Sequence, residues 1–290
     1  MKGPVAQRLE GDRLHLSHGP MDVVLRAWGE PAKMRAAESA AAARFATILA
    51  ELVAELPELR RDLRAGVRLE GSVARRMQAG CAPFAARGVF VTAMAAVAGA
   101  VADELLAAMR AAAPGLRRAF VNDGGDIAVF VAEGESLSLG MGAVPLAEPP
   151  PFDGAIRITS GDGIGGIATS GRHGRSFSLG IADAVTVLAH DAATADAAAT
   201  LIANAVNIES PAVQRRPASE LDPDSDLGEL PITVAVGPLA GAEIETALDA
   251  GAVRAAAWCR AGLIHGAALR LAGTARTIGS PFPALPEHAA

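Results

Sequence analysis

A helix that is almost free of charge is the feature that most constrains how this chain of 290 residues can fold. Residues 192–206 are mostly alanine, and Asp196 is the only charged residue among them. A helix on a protein surface normally presents a polar or charged face to solvent. The sequence therefore predicts that this helix is buried and that the Asp196 carboxylate is buried with it.

Asp196 shares one face of the predicted helix with Thr200, because residues four apart lie above one another. A buried carboxylate needs compensation, and no basic residue lies within one turn of Asp196. Carboxylate and hydroxyl oxygens, completed by water and substrate phosphate, are ligands that Mg²⁺ accepts. We therefore predict that Asp196 and Thr200 bind Mg²⁺. The alternative is that Asp196 accepts hydrogen bonds from a neighbouring loop and Thr200 bonds back to its own helix.

Hydroxyls, glycines and arginines precede this helix in the sequence TSGRHGR, after a strand that is predicted to end at Ala168. Hydroxyls and backbone amides of such a turn are natural anion donors, and guanidinium groups match the geometry of phosphate. The predicted anion-binding residues are Thr169, Ser170, Gly171 and Arg172, with Arg175 as a candidate catalytic residue. The alternative is a hairpin turn whose arginines face solvent.

A second glycine turn lies upstream, in the sequence FVNDGGDIAVFV. Two β-like runs separated by a short polar turn predict a hairpin, and consecutive glycines allow a backbone to approach a ligand closely. The candidate ligand-binding residues of this turn are Asn122, Asp123, Gly124 and Gly125. A hairpin without a ligand is the simpler interpretation.

Four motifs in order resemble a known family, the ApbE-type flavin transferases. The family has a helix ending in Gly-x-x-x-Asp, an Asn-x-Gly-Gly-Asp hairpin, a Ser-Gly turn followed by basic and aromatic residues, and an Ala-Asp-x-x-x-Thr helix. The corresponding segments of this chain are residues 95–103, 122–126, 170–177 and 195–200.

The resemblance implies an α+β fold of two T-fold-like halves, with FAD and Mg²⁺ bound in the cleft between them. Members of the family cleave the FAD pyrophosphate and pass FMN to a threonine of a partner protein, or hydrolyse FAD to FMN and AMP. By position, Asp196 and Thr200 would be the metal ligands. The residues that would hold the flavin dinucleotide are Asn122 to Gly125 and Thr169 to Gly171.

The chain departs from the family pattern at two places. Ala98 precedes the helix glycine Gly99, where the family has a lysine, and the His-x-x-Asp-Pro-x-Thr-Gly segment is missing. His190 lies close to the predicted magnesium-binding helix and is the candidate catalytic substitute for the histidine of that segment. The alternative is a solvent-facing residue beside the cap of that helix. Two other functions stay open: a non-catalytic flavin or nucleotide binder, and a metal-dependent enzyme acting on another small anionic substrate.

Composition argues against two classes of partner. A net charge of −6 and 3% aromatic residues offer little to nucleic acid. The apolar stretch at residues 88–102 is shorter than the about 20 residues that cross a membrane, and the N-terminus lacks the apolar region of a signal peptide. We therefore expect a cytoplasmic protein that binds neither nucleic acid nor membrane, and the oligomeric state stays open.

Apolar periodicity and turn residues predict the remaining elements. Further helices are expected at residues 36–56, 89–112 and 243–260. Strands are expected within residues 13–28 and 119–131, and at 137–141, 155–159, 184–188, 232–236 and 264–271. Prolines near residue 150 predict a linker, so the expected domains are 1–145 and 152–279, followed by a flexible tail at 280–290.

One long segment, residues 207–230, has no clear periodicity and is predicted to be irregular. Unstructured segments of this length commonly serve as lids or binding loops. Arg215 and Arg216 would reach a ligand from such a lid, and the alternative is that they are ordinary surface charges.

Overall fold

The computed structural model describes residues 3–142, 152–280 and 282. Helices and strands are mixed along the chain, and every strand pair with a described register is antiparallel, so the predicted α+β class is confirmed. The strands are β1 (Val5–Leu9), β2 (Arg13–His18), β3 (Met21–Trp28), β4 (Arg118–Asp123), β5 (Asp126–Val131), β6 (Ser136–Gly142), β7 (Phe152–Thr159), β8 (Gly166–Ser170), β9 (Ala184–Ala189), β10 (Val213–Pro217), β11 (Pro231–Val236), β12 (Gly266–Leu271) and β13 (Thr274–Gly279). The helices are α1 (Pro31–Ala54), α2 (Leu56–Leu59), α3 (Ser72–Ala85), α4 (Val97–Ala112), α5 (Ala192–Ala205), α6 (Ala218–Leu221) and α7 (Gly241–Arg260).

The chain divides into two compact units, each assembled from separate stretches of sequence. Unit 1 contains Met1–Leu137, Thr159–Ala168 and Ala189–Ala197, and unit 2 contains Ser138–Ile158, Thr169–Leu188 and Ala198–Ala290. The predicted proline linker lies outside the described residues, as does most of the predicted tail. The predicted division into residues 1–145 and 152–279 stays a prediction.

Unit 1 is built on an antiparallel sheet in the strand order β1-β2-β3-β4-β5-β8. Along β3 every second residue is buried, because alternate side chains of a strand point to opposite faces. Val23, Leu25 and Ala27 of β3 form part of the buried face, against which α1 and α4 pack. Phe45 and Ile48 of α1 are completely buried in this core.

Unit 2 contains the strand order β9-β12-β13, with α7 packed against β12 and β13. Leu248, Ala255 and Trp258 form a buried stripe on α7 at the spacing of an amphipathic helix. The pairs β6-β7 and β10-β11 form separate two-stranded sheets.

Several elements differ from the sequence-based expectation. The predicted irregular segment at residues 207–230 contains β10 and α6, so its interpretation as one long structureless lid was wrong. Arg215 donates to Asn207 Oδ1 at 2.6 Å and to the Ile208 carbonyl at 2.8 Å, and Arg216 pairs with Glu220 at 2.9 Å. Both guanidinium groups therefore hold local structure.

The helix predicted at residues 89–112 begins only at Val97, after a short 3₁₀ helix at Ala93–Ala96. Thr92 instead forms an isolated antiparallel β-bridge with Asp62, so the backbone just before the 3₁₀ helix is extended. Helix α3 was not predicted, because Gly80 and Pro83 lower its intrinsic propensity. Burial of Met77 and other apolar residues of α3 overrides that propensity.

Candidate functional site

Helix α5 is the buried helix that the sequence predicted. Of its 14 residues, those from Ala192 to Ala199 other than Asp196 are 0 to 3% exposed, and Asp196 is 9% exposed. Within the described part of the chain, no lysine or arginine forms an ion pair with Asp196. The prediction that this helix and its carboxylate are buried is confirmed.

Asp196 Oδ2 accepts a hydrogen bond from the backbone N–H of Gly99 at 3.0 Å, at the beginning of α4. A neighbouring backbone group does therefore donate to this carboxylate, as the structural alternative expected. The amide of Ala98 also stabilises the charged form. An ionised carboxylate has about four acceptor positions on two oxygens, so two amides do not exhaust it. The hydrogen bond orients Asp196 and leaves acceptor capacity for a cation.

The electrostatic surroundings of Asp196 are unfavourable to its negative charge. Burial raises the pKa of Asp196 well above its usual range, and the nearby carboxylates of Asp126 and Asp123 raise the pKa further. The amides of Gly99 and Ala98 act in the opposite direction and stabilise the charged form. A divalent cation would reverse the dominant effects, because it would replace lost solvation and offset the neighbouring negative charges.

These residues fit a magnesium ion better than a metal that needs a complete protein ligand set. Across the residues described, there is no group of three or more His, Cys, Asp and Glu side chains arranged to hold a metal. Mg²⁺ is commonly bound through one or two carboxylates, with water and substrate phosphate as its remaining ligands. The single buried carboxylate of Asp196 matches the protein part of that requirement.

Thr200 lies one turn after Asp196 on α5 and is half-buried. Its hydroxyl donates to Ser170 Oγ at 3.3 Å, so the alternative of a bond back to its own helix is not what the structure shows. Ser170 belongs to β8, which means that two predicted site residues are adjacent within unit 2.

Thr169 and Ser170 lie in β8, so the expectation that they form the turn itself was wrong. Strand β8 extends to Ser170, beyond the predicted end at Ala168, and Thr169 Oγ1 pairs with Thr186 Oγ1 at 2.9 Å. The turn begins at Gly171, where a Cβ atom would overlap the carbonyl oxygen of Asp183. Glycine is required there by this close approach.

The arginines of this turn differ from each other. Arg172 donates to Asp183 Oδ1 through Nε at 2.9 Å and through Nη2 at 2.6 Å, and it is not solvent-facing as the alternative expected. His173 Nε2 lies 3.3 Å from the same Asp183 oxygen. Arg175 is exposed. Anion binding by Arg172 and catalysis by Arg175 stay predictions, and Arg172 would have to share its charge with Asp183.

The hairpin formed by β4 and β5 is confirmed, with Asp123 opposite Asp126. Gly124 and Gly125 have φ angles of 63° and 116°, which glycine adopts at low cost. Asn122 Oδ1 accepts from the Gly125 N–H at 2.8 Å, so the side chain of Asn122 stabilises the turn.

His190 lies at the surface of unit 1. Its side chain is 61% exposed, and Nε2 lies 2.9 Å from the Asp191 carboxylate. Asp191 in turn accepts from the Thr194 N–H at 2.7 Å and so caps the first turn of α5. A catalytic role for His190 stays a prediction.

Asp103, which ends the Gly-x-x-x-Asp motif, contacts the beginning of α5 and was not singled out from the sequence. Its two carboxylate oxygens accept from the backbone N–H groups of Ala192 at 3.1 Å and Ala193 at 2.9 Å. Burial, and next the charge of Asp191, raise the pKa of Asp103 to about 7. The motif was the signal that could have identified it, but only the fold shows that it reaches α5.

Several archaeal proteins are similar to this chain. A UPF0280 protein of Methanopyrus kandleri is 37% identical over 170 residues, which is 57% of this chain and 64% of that protein. A UPF0280 protein of Methanothrix thermoacetophila is 39% identical over 138 residues, which is 47% of this chain and 54% of that protein. The chain thus spans between half and two thirds of the length of these relatives.

Two solved structures are also similar. The flavinyl transferase ApbE of Pseudomonas stutzeri, in its apo form, has a TM-score of 0.39 and 14% identity, covering 95% of this chain and 93% of that chain. The ApbE protein of Thermotoga maritima has a TM-score of 0.39 and 16% identity, covering 71% and 88%.

Within the described ranges, no helix combines the length and the apolar character that a membrane crossing requires. The family described as AbpE bacteria matches residues 6–277. Because this match extends over most of the sequence, the chain belongs to that family and, with it, to the ApbE-like superfamily.

Proposed function

We propose that this protein binds FAD together with Mg²⁺ and cleaves the pyrophosphate, releasing AMP and leaving FMN free or attached to a threonine of a partner protein. The observation that carries the proposal is the buried Asp196 carboxylate, which faces negative charge from Asp126 and Asp123 and has no basic ion-pair partner among the described residues. Family membership supports the choice of a flavin nucleotide over other anions.

The reaction exchanges one bond to phosphorus for another. A P–O bond forms between the FMN phosphorus and the oxygen of water or of an acceptor threonine, which gives up its proton. The anhydride P–O bond to AMP breaks, and its electron pair leaves with the AMP phosphate. When bound, Mg²⁺ would offset the negative charge that develops on the pyrophosphate oxygens.

The chain supplies oxygen donors and hydrogen-bond donors for this reaction. Asp196 and Thr200, one turn apart on α5, are proposed as protein ligands of the cation. The residues proposed to hold the dinucleotide are Asn122, Asp123, Gly124, Gly125, Thr169, Ser170, Gly171 and Arg172. Arg175 is a candidate for charge stabilisation, and His190 is a candidate for proton transfer.

One observation favours a second candidate, a flavin nucleotide binder without turnover. His190, the substitute for the histidine of the missing segment, is exposed and paired with Asp191. An exposed histidine in an ion pair is a poor match for a general base held beside a substrate.

The decisive experiment follows AMP and FMN by chromatography after incubation of the purified protein with FAD, with and without Mg²⁺. We expect AMP release that requires Mg²⁺ and falls at least about a hundredfold in Asp196→Asn, since even changes beside a metal ligand cost about 10- to 100-fold. Glu58→Gln is the control, because Glu58 is about half exposed, pairs with Arg61 and is not among the residues proposed for the site.

Equal AMP release by the wild type and Asp196→Asn would contradict the proposal. FAD binding that saturates without any AMP release would favour the non-catalytic binder. Absence of FAD binding would favour a different small anionic substrate.

A further inference from the structure

Asp103 of α4 and Asp196 of α5 connect these two helices, because each carboxylate accepts hydrogen bonds from the beginning of the other helix. Asp196 of α5 accepts from the Gly99 N–H of α4, and Asp103 of α4 accepts from the N–H groups of Ala192 and Ala193 of α5. The first amides of a helix have no partner within the helix and carry partial positive charge. Each carboxylate therefore satisfies groups that the other helix cannot satisfy itself.

The absence of a side chain at Gly99 permits this arrangement. A Cβ atom on Gly99 would overlap the carbonyl oxygen of Ala192 and approach the amide of Ala193. The two helix beginnings are consequently in backbone contact, and a small change in their spacing would move Asp196 relative to Gly99. All of these residues belong to unit 1.

Asp103 contacts α5 one turn before Asp196. Because successive turns of a helix are hydrogen-bonded to one another, a shift of the first turn of α5 also shifts the backbone of Asp196. We propose that Asp103 is a positioning residue: by holding Ala192 and Ala193 against α4, it places the Asp196 carboxylate for cation binding. This inference rests on the proposed function, because it assigns a role toward the same cation. Asp103 itself binds neither the cation nor the substrate in this proposal.

A simpler role for Asp103 would be that of a cap that merely stabilises α5. Asp191 provides the comparison, since it also accepts from an amide of the first turn of α5, at 2.7 Å from Thr194 N. Asp191 belongs to the segment that leads into α5, whereas Asp103 belongs to α4. Only loss of Asp103 should alter the alignment of α5 with α4.

The test measures Mn²⁺ binding by electron paramagnetic resonance, with FAD present, for the wild type, Asp103→Asn and Asp191→Asn. Asparagine at position 103 offers one acceptor oxygen in place of two, so it can hold only one of the two amides. We expect Asp103→Asn to raise the Mn²⁺ dissociation constant about tenfold or more, in the range known for groups that orient metal ligands. Asp191→Asn is expected to leave it within about threefold, well below that range.

Thermal unfolding of each variant separates positioning from stability. If both variants melt at similar temperatures and only Asp103→Asn loses Mn²⁺ affinity, positioning is supported. Equal Mn²⁺ affinity in the two folded variants would overturn the inference while leaving the proposed function intact. A wild type that binds no Mn²⁺ would overturn both.

If Asp103→Asn does not fold, hydrogen exchange of the wild type provides the second measurement. Addition of Mn²⁺ with FAD should slow exchange of the Ala192 and Ala193 amides together with that of Gly99, although none of these amides is a metal ligand. Exchange that stays unchanged at all three amides while Mn²⁺ binds would contradict the inference.

Discussion

At the scale of single residues, the carboxylates of this protein are controlled by opposite surroundings. Glu104 receives hydrogen bonds from Arg76, Ser72 and Arg44, which hold its pKa at about 2 against the effect of burial. Asp103 accepts two backbone amides, yet burial and then Asp191 raise its pKa to about 7. The pKa of Glu104 is lowered because its hydrogen-bond donors include charged arginines, whereas the donors to Asp103 are neutral backbone amides.

The raised pKa of Asp103 predicts a pH dependence of stability. The native protein binds a proton at Asp103 in a range where the unfolded chain does not, so the free energy of unfolding should fall as pH rises through about 7. The contribution of this residue, of the order of a few kcal/mol at most, should be fully present only below the unfolded pKa of 3.8.

The measurement is urea unfolding between about pH 5 and pH 8 for the wild type and Asp103→Asn. The difference in the free energy of unfolding between the two proteins should shrink or change sign across this pH range, because asparagine does not titrate. A constant difference would show that Asp103 has an ordinary pKa.

At the scale of elements, polar and backbone contacts set how the helices of unit 1 meet. Glu104 of α4 joins α1 through Arg44 and α3 through Ser72 and Arg76. Gly99 brings α4 into backbone contact with α5. These contacts fix relative helix positions that apolar packing alone would leave adjustable.

Substitution of Glu104 should weaken the contacts that join α1, α3 and α4. We expect Glu104→Gln to lower the free energy of unfolding by about 2 kcal/mol, because Arg76 loses its charged partner and Arg44 keeps only Glu51. Glu58→Gln is the control, since its pair with Arg61 is about half exposed on both sides and should change stability by less than about 0.5 kcal/mol. Equal effects in urea unfolding would contradict this role of Glu104.

Substitution of Gly99 tests the backbone contact. We expect Gly99→Ala to destabilise the protein by about 2 kcal/mol or more, because its Cβ would overlap Ala192. Gly241→Ala is the matched helical control: nothing lies within 4 Å of its added Cβ, so stability should be unchanged or slightly higher. A neutral Gly99→Ala variant in thermal unfolding would show that the helices can move apart freely.

At the scale of the whole molecule, a ligand that binds only the folded state should raise its stability. If FAD binds with Mg²⁺, the two together should stabilise the protein by about 2.7 kcal/mol at a hundredfold excess over the dissociation constant. FAD alone or Mg²⁺ alone should stabilise the protein less, because in this proposal the cation joins the phosphate to Asp196. Calorimetry of the wild type and Asp196→Asn checks this expectation, and an equal shift in both proteins would contradict it.

The sequence by itself determined the α+β class, the buried helix α5 and the hairpin around Gly124 and Gly125. These features depend on local patterns: the absence of charge along a helix, alternation along a strand, and glycine at positive φ. The order of four motifs also identified the family, which the match over residues 6–277 confirms. The ligand and metal roles of the predicted site residues stay predictions.

The tertiary structure alone decided which groups face one another. Arg172 pairs with Asp183, Thr200 donates to Ser170, and Asp103 reaches the beginning of α5, although 89 residues separate Asp103 from Ala192. Helix α3 forms despite Gly80 and Pro83, because burial of its apolar face outweighs its low propensity. Hydrogen bonds and ion pairs depend on distances of a few ångströms between residues far apart in the chain, and no local pattern encodes those distances.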